Sequence, residues 1–270
     1  MRKSDLVVAC STVIALAAGC ATGMPGAPPP SPATVAPAER PASTVPEDAV
    51  ARIAAELVYV AGGTLPSTHL GGATRPEIKV DGFWLGKHEV TQEEWTSIMG
   101  SNPSLHAGDP RLPVTNVSWQ DAQRFVARLN QAPGGGFRLA TAEEWELACR
   151  AGAPGHVPMQ ASESTLDEYA WWGKSSGGRA HSVATLQPND FGLYDMLGNV
   201  AEWCETAEDP TAEDKLHVTA GGNFSDENLV GQDCSTTAWM AEDGSDEWTG
   251  LRLAKSGPAP AKAPKGSAKP

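Results

Sequence analysis

Phe191-Gly192-Leu193-Tyr194-Asp195-Met196-Leu197-Gly198-Asn199-Val200-Ala201-Glu202-Trp203 is the stretch on which the reading of this chain turns. Apolar residues, glycines and oxygen-bearing side chains are interleaved in it without a period, so neither a helix face nor an alternating strand accounts for it. Gly192 and Gly198 mark sharp turns or close backbone approaches. Asp195, Asn199 and Glu202 lie close together, and turns leave backbone carbonyls free to point inward. Hard oxygen donors at short irregular spacing suit calcium, which takes roughly six to eight oxygens in loose geometry. The same residues have a plainer reading, in which Asp195 and Asn199 cap turns and Glu202 is solvated.

Working outward, three capping signals open helices. Thr91 with Glu94 starts a helix that stops at Gly100, and Ser118 with Asp121 opens Trp119 to Asn130. Thr141 with Glu144 opens Ala142 to Arg150, with Gly152 as the stop. Leu57 to Val60, Phe83 to Val90, Phe137 to Leu139, Val218 to Phe224 (with a glycine bulge) and Thr249 to Leu253 read as strands. Tyr169-Ala170-Trp171-Trp172-Gly173 reads as buried, and Glu205 to Asp214 as an acidic loop. Short helices among short strands and long loops predict an irregular α+β domain over residues 51–254.

The ends have other characters. Met1-Arg2-Lys3, the apolar Leu6 to Ala18 and Ala17-Ala18-Gly19 before Cys20 read as an export signal over residues 1–19. Small residues directly before a cysteine resemble a bacterial lipobox, with Cys20 as the lipidated residue. That places the protein in the bacterial cell envelope, held to the membrane by lipid; simple secretion is the alternative. Residues 20–50, rich in Pro, Ala, Ser and Thr, read as a disordered tether, and residues 255–270, rich in Lys, Pro and Ala, as a disordered tail.

A formal charge of −13 and the lack of a basic stripe argue against nucleic acid. No P-loop or dinucleotide glycine fingerprint points to a nucleotide. His69, His88, His106, His156, His181 and His217 show no close metal-ligand spacing. Once Cys10 leaves with the signal and Cys20 takes lipid, Cys149, Cys204 and Cys234 remain. An oxidising compartment permits one disulfide among them and leaves at least one thiol over.

The order of these segments resembles the formylglycine-generating enzyme (sulfatase-modifying factor) family. The resemblance rests on Lys87 to Thr91, Leu112 to Ala122, Phe137 to Glu146, Gly192 to Trp203, Gly221 to Phe224 and Gly250 to Arg252, with Ala140, Ala142 and Ala201 as departures. It covers residues 57–254 and implies a variant of the C-type-lectin-like architecture, low in regular secondary structure. It further implies a structural calcium site using the Asp195 and Glu202 carboxylates and the Gly198 and Val200 carbonyls. No second calcium site is expected, because Trp172 to Gly178 replaces the loop that would supply it. A Cys149–Cys234 disulfide is implied as well, with Cys204–Cys234 as the competing pairing.

Family enzymes oxidise a protein cysteine to formylglycine with two thiols that bind copper(I). Soft thiolates are the fitting ligands. Here Asp226 and Gly231 stand where those thiols belong, so no catalytic residue is expected. The resulting expectation is a non-catalytic binding or scaffolding module with an envelope protein partner. The alternative is a formylglycine-generating oxidase with a rearranged copper site.

Overall fold

The computed structural model describes residues 45–70, 73–151, 163–205, 216–227 and 233–260. The proposed signal, Cys20 and Gly231 lie outside them, as do nearly all of the proposed tether, most of the acidic loop and the end of the tail. In chain order the elements are α1 (Glu47–Ala55), β1 (Leu57–Val60), β2 (Gly63–Leu65), β3 (Thr68–Leu70), β4 (Ala73–Arg75), β5 (Ile78–Val80) and β6 (Phe83–Gly86). There follow α2 (Gln92–Met99), α3 (Trp119–Leu129), β7 (Phe137–Leu139), α4 (Ala142–Arg150) and α5 (Glu163–Leu166). The last are β8 (Ala201–Trp203), β9 (Leu216–Ala220), β10 (Thr237–Ala241), β11 (Thr249–Leu251) and β12 (Leu253–Ser256).

Two four-stranded sheets carry the fold, in the orders β1-β6-β12-β7 and β10-β9-β8-β11, beside the two-stranded ribbons β2-β5 and β3-β4. Pairing is antiparallel except between β11 and β8. The expected last strand is in fact two strands in different sheets, broken at Arg252. That one residue is the crossing point between the sheets.

Local chemistry sets the helices. Thr91, Ser118 and Thr141 each accept from the backbone of Glu94, Asp121 and Glu144, whose carboxylates return the bond. Each such cap stabilises its helix by about 1 kcal/mol. Gly100 closes α2 in the left-handed region, whereas α4 is closed by Ala151 at φ 45°, one residue before the expected Gly152. In α3 the buried residues are Ala122, Phe125, Val126 and Leu129, a stripe at helical spacing.

The core has two clusters. One gathers Leu85, Trp145, Trp172, Leu193, Met196 and Val218 with all three domain cysteines. The other gathers Val117, Phe125, Leu129, Trp203 and Leu251, with Trp95 stacked on Phe125 at 4.9 Å between ring centroids. Fully burying a side chain of this size contributes about 1.5–3 kcal/mol.

The folded part is longer than expected at both ends. Residues 47–50, read as tether, begin α1, whose Ala49, Val50 and Ile53 are buried in the second cluster. Pro46 stands before α1 with Glu47 and Asp48 in its first turn, a start that suits the helix dipole. Lys255 and Ser256, read as tail, pair in β12 with Phe137, Trp84 and Phe83.

Candidate functional site

The stretch from Phe191 to Trp203 joins distant parts of the chain through its backbone. Tyr194 N–H donates to Lys87 O (2.8 Å), Gly198 N–H to Gly221 O (2.8 Å), Asn199 N–H to Trp171 O (2.7 Å) and Ala201 N–H to Trp248 O (2.8 Å). To aim these donors the chain turns left-handed at Gly192, Asp195, Gly198 and Asn199. At Gly198 a side chain is excluded twice, by φ 72° and because a Cβ would collide with the Trp171 carbonyl oxygen. The turn-capping reading of Asp195 and Asn199 is therefore right about their backbone; Glu202, by contrast, is buried rather than solvated.

Their side chains form a buried charge node with Arg252 and Glu89, every member no more than 2% exposed. Arg252 Nε donates to both Glu202 oxygens at 3.0 Å, and its Nη2 donates to Oε1 at 2.6 Å. The rest of the guanidinium is satisfied by Gly86 O (3.0 Å) and Tyr194 O (2.9 Å). Trp145 Nε1 adds a bond to Glu202 Oε2 at 2.6 Å. Asn199 bridges the turns, donating to Glu89 Oε1 (2.9 Å) and His181 O (3.2 Å) and accepting from His181 N–H (2.9 Å). Neither Glu89 nor Arg252 was singled out by the sequence reading for this node. The signal in the sequence was slight: a lone carboxylate before Val90-Thr91 and a lone arginine after Gly250-Leu251.

Two carboxylate oxygens here lack a hydrogen-bond partner, Glu89 Oε2 and Asp195 Oδ1; Asp195 Oδ2 accepts from Ala184 N–H at 2.7 Å. Burial pushes the Glu89 carboxyl well above the usual carboxylate range, and the Asp195 and Glu202 charges add to it. Burial also raises Asp195, against the Ala184 hydrogen bond and the Arg252 charge. Three buried carboxylates against one guanidinium call for more positive charge, as a cation or as protons.

Against that demand, the ligand set Asp195, Gly198, Val200 and Glu202 does not fit a calcium ion as a set. Glu202 gives all its acceptor sites to Arg252 and Trp145. The open side-chain oxygens belong to Asp195, which the set contains, and to Glu89, which it does not. Among the described residues no three His, Cys, Asp or Glu side chains converge as a metal centre.

The region where family thiols belong is built differently. Cys234 is bonded to Cys149 across 85 residues. Cys204 is outside the disulfide and has no exposure, donating weakly to Glu202 O at 3.7 Å. Burial pushes that thiol well above its usual range, and the Glu202 charge adds to the effect. Asp226 accepts from Asn223 N–H at 2.8 Å, and its carbonyl accepts from Gly173 N–H at 3.0 Å. A Cβ on Gly173 would stand 2.7 Å from that carbonyl, so Asp226 sits in a fitted turn. A cleft of about 430 Å³ nearby is lined by His106, Asp109, Arg179, His181, Phe224 and Glu247, with no cysteine in its wall. These donors do not fit copper(I), which needs paired soft thiolates.

Comparison with known proteins agrees with this frame. The chain is 27% identical over 222 residues to the chaperone protein LppX of Paenibacillus barcinonensis, covering 63% of this chain and 78% of that one. It is 35% identical over 129 residues to the inactive C-alpha-formylglycine-generating enzyme 2 of Mus musculus, covering 43% of this chain and 38% of that one. In structure it superposes on Treponema denticola variable protein 1 with a TM-score of 0.65 and 26% identity, covering 74% of this chain and 94% of that one. Residues 41–257 match the sulfatase-modifying factor enzyme 1-like domain, and the chain belongs to that family.

Proposed function

We propose that this protein is a non-catalytic member of its family, a binding or scaffolding module of the bacterial cell envelope. One observation carries the reading: Cys234 is locked in a disulfide and Cys204 is sealed in the core. The described residues therefore hold no accessible thiol, and copper(I) chemistry on paired thiolates has nothing to act through. A relative named as a chaperone supports a role in binding other proteins, and one named as inactive supports the lack of catalysis. The test is copper(I) competition against a chromogenic chelator, using the full chain with Cys10→Ser and Cys20→Ser. The domain is expected to take no copper; one tightly held equivalent would restore the oxidase reading.

Lipid on Cys20 would hold the module at the membrane by a tether, where an envelope protein is its partner. No helix among the described residues is long and apolar enough to cross a membrane. Cys20→Ala is expected to move the protein from the membrane fraction to the soluble fraction, and unchanged fractionation would exclude the anchor. We also propose that the positive charge the node lacks rests against the open oxygens of Asp195 and Glu89, with Glu202 kept by Arg252, and that a structural calcium ion is the cation to test there. EDTA should then lower the melting temperature of the native chain and leave Asp195→Asn unmoved. An EDTA-insensitive native chain would mean that protons neutralise the node.

A further inference from the structure

We propose that β10 is a docking strand for an extended, lysine- or arginine-bearing segment of a partner protein. The inference rests on the binding-module reading and names its surface. β10 is the outer strand of β10-β9-β8-β11. Cys204 N–H donates to Val218 O at 2.9 Å, which commits the Val218 backbone to β8. Ladder direction alternates along an antiparallel pair, so Trp239, opposite Val218, turns its own N–H and C=O away from β9. Among the described residues no further strand pairs with β10 on that side.

Exposed edges are normally blunted by lysine, proline or a bulge. Thr237-Ala238-Trp239-Met240-Ala241 has none of these, and its register with β9 is continuous. Trp239 is 59% exposed. Leu216, opposite Ala241 and on the same face as Trp239, is 44% exposed. An open ladder beside an exposed indole has what strand addition needs, main-chain bonds for affinity and a side-chain contact for choice.

Charge decides the occupant. From Leu216 to Leu251 there is no lysine or arginine, and Asp233 shortly before β10 and Glu242 and Asp243 directly after it are acidic. A second copy paired edge to edge would set one acidic flank against the other. A basic extended segment gains from the same flanks, and its cation can lie over the Trp239 ring.

The test uses the full chain and a labelled peptide of about seven residues alternating valine and lysine, with a glutamate-for-lysine twin as control. Fluorescence anisotropy should show saturable binding of the basic peptide, and hydrogen exchange should show protection at the amides of Thr237 to Ala241. The twin should bind at least ~10-fold more weakly. Trp239→Ala should weaken binding ~10-fold or more, and Asp243→Lys, on an exposed turn, ~3-fold, with melting temperatures kept. Lack of binding, equal binding of the twin, or protection elsewhere would overturn the proposal. So would a dimer that Trp239→Ala dissolves, since a second copy would then be the occupant. Any of these results removes β10 as the docking strand and leaves the copper test of the wider reading standing.

Discussion

The turn stretch from Gly192 to Trp203 and the segment from Gly221 to Cys234 both belong to the motif set of the family, yet they differ in what has been kept. In the first, the glycines, Asp195, Asn199 and Glu202 are present, and the Tyr194, Gly198, Asn199 and Ala201 amides and the Asn199 and Glu202 side chains meet partners from other parts of the chain. In the second, the Gly221-Gly222 turn is present but the thiol positions are not: Asp226 closes a turn and Cys234 closes a disulfide. The contrast teaches that the node is part of the framework. A buried guanidinium bridging two sheets is needed whether or not the neighbouring loop does chemistry.

If that is right, removing a framework tie should be costly in both regions, for different reasons. The Cys149→Ser/Cys234→Ser double variant opens an 85-residue loop. In the chain-entropy account it loses about 4.5 kcal/mol of unfolding free energy in urea titrations. A much smaller loss would mean that the cross-link is incidental to the fold. Arg252→Met strands Glu202 as an uncompensated buried charge and should lose about 3–5 kcal/mol; adding Glu202→Leu should restore part of it. Equal losses for the single and double variants would deny that the pair acts as a unit.

Smaller effects sharpen the picture outside the node. Burial pushes Glu146 up, but hydrogen bonds from Arg75 and Arg150 outweigh it and hold the carboxyl below its ordinary 4.5. A depressed folded value means that its contribution is fully present above pH 4.5 and is lost as pH falls through the lower value. Glu146→Gln should therefore flatten the acid limb of the stability profile. An unchanged limb would place the acid sensitivity elsewhere. Thr141→Ala removes one half of a capping box and should cost about 1 kcal/mol; no change in urea midpoint would show that tertiary packing alone sets the start of α4.

The legible parts of the fold were the local ones. Thr91 with Glu94 and Thr141 with Glu144 act over three residues, so their helices could be read with ends within one or two residues of those found. The Arg252–Glu202 pair spans fifty residues and leaves no spacing to read. Without it, Thr249 to Leu253 looked like one strand and Glu202 like a free ligand. α1 was hidden because a short apolar stripe, Ala49, Val50 and Ile53, follows a proline-rich run whose composition dominates the window. β10 was hidden because its five residues do not alternate and four of them are exposed. Glu89 reads as the end of a strand, and only the fold brings it against Asn199.

The central claim is that the frame persists without the chemistry, and one turnover assay addresses it directly. The full chain, with Cys10 and Cys20 changed to serine, would be incubated with copper(I), oxygen and a peptide carrying Cys-x-Pro-x-Arg, and the peptide read by mass. The account predicts that every cysteine survives, beside an active family enzyme that converts it to the aldehyde. Aldehyde formation that persists through repurification would contradict it, and would require a thiol pair that the Cys149–Cys234 bond and the buried Cys204 do not supply.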